Sequence, residues 1–228
     1  MEMPIKLVVF DMAGTTVNEN NLVYHTLLLT IIQHGFDCTL EDVLEHGAGK
    51  EKRNAIEAIL HATQVDQQND AIIDAIFKGF LLNLDMAYQH AVVTPQPNSE
   101  TVFEQLKARK IAVVLNTGYD LKTANNLLDK LNWVKGIHYD LLITASDVIN
   151  SRPHPDMIFK AMSDLNISNA SSVIKIGDSV VDIEEGKNAN CGLTIGITTG
   201  AQTASQLDFA KPDYILNNLN ELIGILNS

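Results

Sequence analysis

The sequence predicts an α/β protein, a doubly wound parallel sheet with an all-helical segment inserted after its first strand. Three observations predict it. Short, nearly continuous apolar runs recur, each followed by a stretch of helical length, which is the pattern of strands buried on both faces and joined by crossover helices. After the first run the alternation stops, and several helical patterns follow one another with no strand between them. Pro95 and Pro97 then mark the point where alternation returns.

The elements follow in order. Residues 5–10 (IKLVVF) form the first strand. Residues 21–34 (NLVYHTLLLTIIQH) have helical length and end at Gly35. Thr39-Leu-Glu-Asp is a capping box with Thr39 as N-cap, opening a helix that ends near His46. Residues 50–63 and 66–89 carry apolar side chains at three- and four-residue spacing, the stripe of an amphipathic helix. Past the prolines, strands are expected at 111–115, 141–144, 173–176, 193–197 and 214–216. Helices are expected at 121–131, 155–165 (with Pro155 in the first turn), 180–189 and 219–226. This alternation gives right-handed βαβ units, hence a Rossmann-like core of residues 1–17 and 91–228. Residues 18–90 then form a helical cap over the carboxyl ends of the strands, where such sheets place their sites.

Bulk properties narrow the function. A chain of 228 residues is long for one domain and short for two independent ones, which suits a core with an insertion. The net charge of −12 argues against nucleic acid or an anionic membrane surface as the main partner. A phosphorylated small molecule stays compatible if a few cations gather at its site. Cys38 and Cys191 lack metal-ligand or redox spacing and read as unlinked thiols. No run approaches the ~18 apolar residues of a membrane span, and MEMPIK leads directly into a strand, so a cytoplasmic location is expected.

Four short segments fall at strand ends: Asp11-Met-Ala-Gly-Thr-Thr, Asn116-Thr-Gly-Tyr, Ser151-Arg-Pro-His-Pro and Gly177-Asp-Ser-Val-Val-Asp. Neighbouring strand ends converge, so these supply a carboxylate nucleophile, a hydroxyl, a fixed cation and two further carboxylates. That is equipment for phosphoryl transfer with Mg²⁺, which takes oxygen ligands and leaves room for substrate oxygens. The bland alternatives stand beside it: a lone strand-end aspartate often only caps a helix, Asp182 suits first-turn helix charge, and Thr117 suits an ordinary turn.

In order and spacing these motifs resemble the haloacid dehalogenase superfamily. The resemblance implies Asp11 as nucleophile, with Thr15 of the same motif, Thr117 and Gly118 holding the phosphoryl oxygens. It implies Arg152 as the motif cation, and Asp11, the Ala13 carbonyl, Asp178 and Asp182 around the metal. The common phosphatases of that superfamily carry a second aspartate where this chain has Ala13. DMAGTTV, NTGY and SRPHP are instead similar to the phosphonoacetaldehyde hydrolase (phosphonatase) branch. Enzymes of that branch use a lid lysine as a Schiff base, so that carbon leaves phosphorus as an enamine. Gly47-Ala-Gly-Lys50 matches the branch's Gly-x-x-Lys, which implies Lys50 as the amine, with Arg53 one turn on and Tyr119 lining the pocket. The alternatives for Lys50 are a contact to substrate charge or a solvated KEKR cluster. Met12, Arg53 and Ser151 depart from the branch's tryptophan, histidine and glycine. The expected reaction is C–P cleavage of phosphonoacetaldehyde or a similar small 2-oxoalkylphosphonate. Its rivals are hydrolysis of small phosphate esters and a silent binding module of the same fold. Family resemblance also carries the expectation of a homodimer.

Overall fold

The structure is a computed structural model that describes residues 4–63 and 69–227. Strand β1 (Leu7–Asp11) is buried along its whole length. Its side chains alternate: Val8 and Phe10 enter the larger apolar core, Leu7 and Val9 a smaller one on the opposite face. Such two-sided burial is why the run reads as continuously apolar. The strand begins later than the sequence suggests and includes Asp11 itself, so the carboxylate is held by the sheet rather than by a loop.

Strand β2 (Val17–Asn18) precedes the helices α1 (Leu22–Gln33), α2 (Leu40–Gly47), α3 (Lys52–Ala62) and α4 (Asp70–His90). Thr39 caps α2 as expected: its hydroxyl accepts from the Asp42 N–H at 3.1 Å while the Asp42 carboxylate accepts from the Thr39 N–H at 2.7 Å. Residues 66–68, assigned by periodicity to the fourth helix, lie outside the described residues, and α4 starts at Asp70 with the Asn69 side-chain Oδ1 accepting from the Ile72 N–H. Strand β3 (Thr94–Pro95) pairs antiparallel with β2, so a two-residue ladder ties the entry of the helical segment to its exit.

The remaining elements are α5 (Ser99–Ala108), β4 (Ala112–Thr117), α6 (Leu121–Leu131), β5 (Leu141–Thr144), α7 (Asp156–Asp164), β6 (Val173–Gly177), α8 (Val180–Asn188), β7 (Leu193–Ile197), α9 (Ala204–Leu207), β8 (Tyr214–Leu216) and α10 (Glu221–Ile225). Helix α5 has no counterpart in the sequence expectations, although Val102, Phe103 and Leu106 are its buried stripe. Pro155 is the N-cap of α7 rather than part of its first turn. The six core strands are parallel in the order β5-β4-β1-β6-β7-β8. From β1 the chain continues to β4 on one side and to β6 on the other, so the strand order reverses at β1. A crevice opens at such a reversal, beyond the carboxyl ends. Asp11 is in register with Asn116 of β4, and Phe10 with Ile176 of β6. The four motifs therefore meet at one edge of the sheet. No helix among the described residues is long and apolar enough to cross a membrane.

Candidate active site

Asp11 sits at the end of the central strand, 5% exposed. The turn after it is closed by the Met12 carbonyl, which accepts from the Thr16 and Val17 N–H groups at 2.9 and 2.8 Å. Gly14 occupies the left-handed region (φ +86°), and a Cβ there would lie 2.2 Å from Asp178 Oδ2. Both facts require glycine. Gly14→Ala is accordingly expected to lower stability by about 1–3 kcal/mol in urea denaturation.

Arg152, on the loop after β5, is 3% exposed. Its Nη1 donates to Asp11 Oδ1 at 2.7 Å and pairs with Asp182 Oδ1 at 2.9 Å. Its Nε lies 3.2 Å from Glu185 Oε2, and Nη2 donates to both oxygens of Asn116. Burial opposes the guanidinium charge, but Asp182, Asp11 and Glu185 outweigh it and raise its pKa. The Asp11 carboxyl is held above the ordinary carboxylate value. Burial raises its pKa, with Asp182 adding to the rise and Arg152 and Lys175 opposing it. Asp178, whose Oδ2 accepts from the Ala201 N–H at 2.6 Å, is pushed well up by burial and by Asp11 and Asp182. Asp182 is held down despite its burial by Arg152 and Lys175, and its Oδ2 accepts from the Ser179 hydroxyl.

One small pocket is lined by Asp11, Ala13, Tyr24, Gly49, Lys52, Thr117, Gly118, Tyr119, Arg152 and Asp178. Most of the expected site residues thus come together. Thr15 is fully buried, its hydroxyl has no hydrogen-bond partner, and it does not line the pocket. Asp182 faces Arg152, Lys175 and Ser179 rather than the pocket. Arg53 lies on the surface, paired with Asp70 and Asp74 of α4 at 2.8 and 2.7 Å. Lys50 is half-buried and lines a separate open cavity with Ile149, Ser151, Arg152 and His154.

The lysine that reaches Asp11's pocket is Lys52. It is buried, its Nζ donates to the Lys50 carbonyl at 2.8 Å, and it lies 5.6 and 5.5 Å from the ring centres of Tyr24 and Tyr119. Burial lowers its pKa from the ordinary lysine value, against the pull of Asp11. A signal for it exists in the sequence. The Gly-x-x-Lys pattern occurs in two overlapping frames, Gly47-Ala-Gly-Lys50 and Gly49-Lys50-Glu51-Lys52. Gly49, at φ +72°, has its N–H directed to the Tyr24 hydroxyl, and a Cβ on it would lie 2.1 Å from Ser179 Oγ. The second frame is the one pressed against the core.

The site also suits a divalent cation. Among the described residues no three His, Cys, Asp or Glu side chains form a metal cage. Asp11, Asp178 and the Ala13 carbonyl are nonetheless hard oxygen donors around one pocket, as befits a cation that keeps several of its waters. Charge points the same way. Among the described residues five carboxylates, Asp11, Glu19, Asp178, Asp182 and Glu185, are buried together with three cations, Lys52, Arg152 and Lys175. When all are ionised, two negative charges are left uncompensated, the amount one divalent cation supplies.

Comparison with known proteins agrees with this geometry. The sequence model of the haloacid dehalogenase-like hydrolases matches residues 8–196. A phosphonoacetaldehyde hydrolase of Latilactobacillus sakei is 28% identical, over 97% of this chain and 95% of its own. One of Parabacteroides distasonis is 30% identical, over 85% of this chain and 76% of its own. Among solved structures, a phosphonoacetaldehyde hydrolase-like protein of Oleispira antarctica superposes with a TM-score of 0.87 at 22% identity, covering 99% of this chain and 92% of its own. With Asp11, Arg152 and the buried carboxylates gathered at the reversal of the sheet, the chain belongs to the haloacid dehalogenase-like hydrolases, as an enzyme of phosphonatase-like type.

Proposed function

We propose that this enzyme cleaves the C–P bond of phosphonoacetaldehyde or a similar small 2-oxoalkylphosphonate, using Mg²⁺ and a Schiff-base lysine. One observation carries the reading: a buried lysine amine shares the pocket of Asp11, while Ala13 stands where an ester phosphatase needs an acid. The sequence assigned the amine to Lys50. Burial and position favour Lys52.

In this mechanism the neutral Lys52 amine adds to the substrate carbonyl, one proton is taken up from solvent, and water leaves to give a protonated imine. Asp11 attacks phosphorus as the C–P bond breaks, and the bonding pair moves into the imine to give an enamine. Arg152, the Thr117 hydroxyl and the Gly118 N–H hold the phosphonyl oxygens. Asp11, Asp178 and the Ala13 carbonyl would hold Mg²⁺, which supplies charge neutralisation at those oxygens. Protonation of the enamine and hydrolysis of the imine release the aldehyde and free Lys52. Water then cleaves the aspartyl-phosphate. The helical segment serves as a cap that delivers the amine and excludes bulk water.

The test is phosphate release from phosphonoacetaldehyde with Mg²⁺, its loss on chelation, and borohydride trapping followed by peptide mass mapping. The expected result is turnover with a reduced adduct on Lys52. Turnover of phosphate esters with no adduct would overturn the reading in favour of a phosphatase.

A further inference from the structure

Lys52, Gly118 and Tyr119 line two cavities at once. One is the tight polar pocket of Asp11. The other, about 260 Å³, extends away from it under α4. Its wall is Phe77, Phe80, Leu81 and Leu84, four apolar residues at helical spacing on one face of α4. Phe80 and Leu84 are buried, while Phe77 and Leu81 are partly so.

The polar residues around this cavity are already engaged. The Glu51 carboxylate accepts from the Arg53 and Asn54 N–H groups, both at 3.0 Å. The Asp120 carboxylate accepts from the Thr123 N–H and hydroxyl. Ser146 Oγ accepts from the Leu121 N–H, and the Tyr119 hydroxyl is bonded to that of Tyr88. The surface left for a ligand is therefore mostly hydrocarbon, with the amine of Lys52 at one end. A substrate as short as phosphonoacetaldehyde ends where its carbonyl meets that amine and leaves the cavity unfilled.

We propose that the preferred substrate is a 2-oxoalkylphosphonate that carries an unbranched apolar chain of several carbons on its carbonyl carbon, seated against Phe77, Phe80, Leu81 and Leu84. This rests on the C–P-cleaving reading and names its substrate class. Chain burial on this wall tightens binding by about threefold to fourfold per methylene. Anionic tails are disfavoured by the Glu51 and Asp120 carboxylates beside the cavity, and polar tails gain nothing from the apolar wall of α4.

Binding and reaction are tested separately. Calorimetric titration of the Asp11→Asn variant, in Mg²⁺, with 2-oxopropyl-, 2-oxopentyl- and 2-oxoheptylphosphonate reads the cavity without turnover. The expected result is affinity that climbs along the series. The gradient flattens when Leu81→Trp is added, and its optimum moves to longer chains with Phe77→Ala. Both positions are partly exposed, so either variant serves if the other fails to fold. Affinity that is level or falls with chain length overturns the proposal. Phosphate release from the native chain reads the reaction: chain-dependent binding without release supports the cavity and overturns C–P cleavage.

Discussion

Lys52→Arg is expected to abolish phosphate release from phosphonoacetaldehyde, by at least about 10³-fold, and to eliminate the borohydride adduct. Lys50→Arg is expected to stay within about fivefold of the native enzyme, the range of a solvent-screened contact. Arginine keeps the positive charge of lysine but never loses its proton, so it removes the amine nucleophile while placing a larger head group in the same buried position. The contrast depends on burial. Lys52 is enclosed by Tyr24, Tyr119 and the Asp11 pocket, whereas Lys50 opens onto the wider cavity of Ile149 and His154. Burial lowers the Lys52 pKa, so the neutral amine appears at lower pH than in a free lysine. Adduct formation should therefore reach half its limit below the ordinary lysine pKa of about 10.4. Stability follows the same sign. Between the lowered pKa and the ordinary one the unfolded chain binds more protons, so stability rises with pH across that window. Lys52→Met should remove that slope and raise the melting temperature while abolishing turnover. Loss of activity and adduct in Lys50→Arg, with Lys52→Arg active, would return the amine to the first frame.

Much of this arrangement was legible because parallel sheets write their strands as apolar runs and put chemistry at their ends. The runs at β1, β4, β5 and β6 each precede one of the four polar motifs, and each of those motifs supplies a residue of the site. The capping box at Thr39 was readable because side chain and backbone satisfy each other within four residues. Other features depend on distance in the chain. Helix α5 was missed because its buried stripe, Val102, Phe103 and Leu106, is short and set among polar residues. The β2–β3 pair joins residues far apart in sequence, and no local pattern announces it. The choice between Lys50 and Lys52 turns on which of them meets the core where α3 begins, Lys50 ahead of the Glu51 N-cap or Lys52 at the first helical position. A motif with two frames does not specify which. The roles of Glu185 and Lys175 were also missed, since neither lies in a recognised motif except by adjacency.

Those two residues give the other large expected effect. Lys175→Met should destabilise the protein by about 3–5 kcal/mol in urea denaturation, because it strips a partner from carboxylates with no access to water. The Lys175 ammonium is wholly buried within strand β6, where it lies 2.9 Å from Asp182 Oδ1 and 3.0 Å from Glu185 Oε2 and donates to Asn116 Oδ1. Asp182 and Glu185, three apart on α8, present their carboxylates on one helix face. Arg152 touches both of them and Asp11. The cluster is thus a scaffold that aims the guanidinium at the Asp11 carboxylate, and its loss should reach the proposed chemistry. With Arg152 free to shift, kcat is expected to fall about 100-fold, the scale of an ångström-sized misplacement. KM should change less, since Thr117 and Gly118 still line the pocket. The double variant Lys175→Met/Glu185→Leu separates stability from aim. It removes the unpaired charge along with its partner, so most of the stability should return. The low kcat should persist, because Arg152 Nε then lacks its Glu185 anchor. Recovery of both together would mean that the cluster only holds the fold, with Arg152 aimed by Asp11, Asp182 and Asn116 without Lys175 or Glu185.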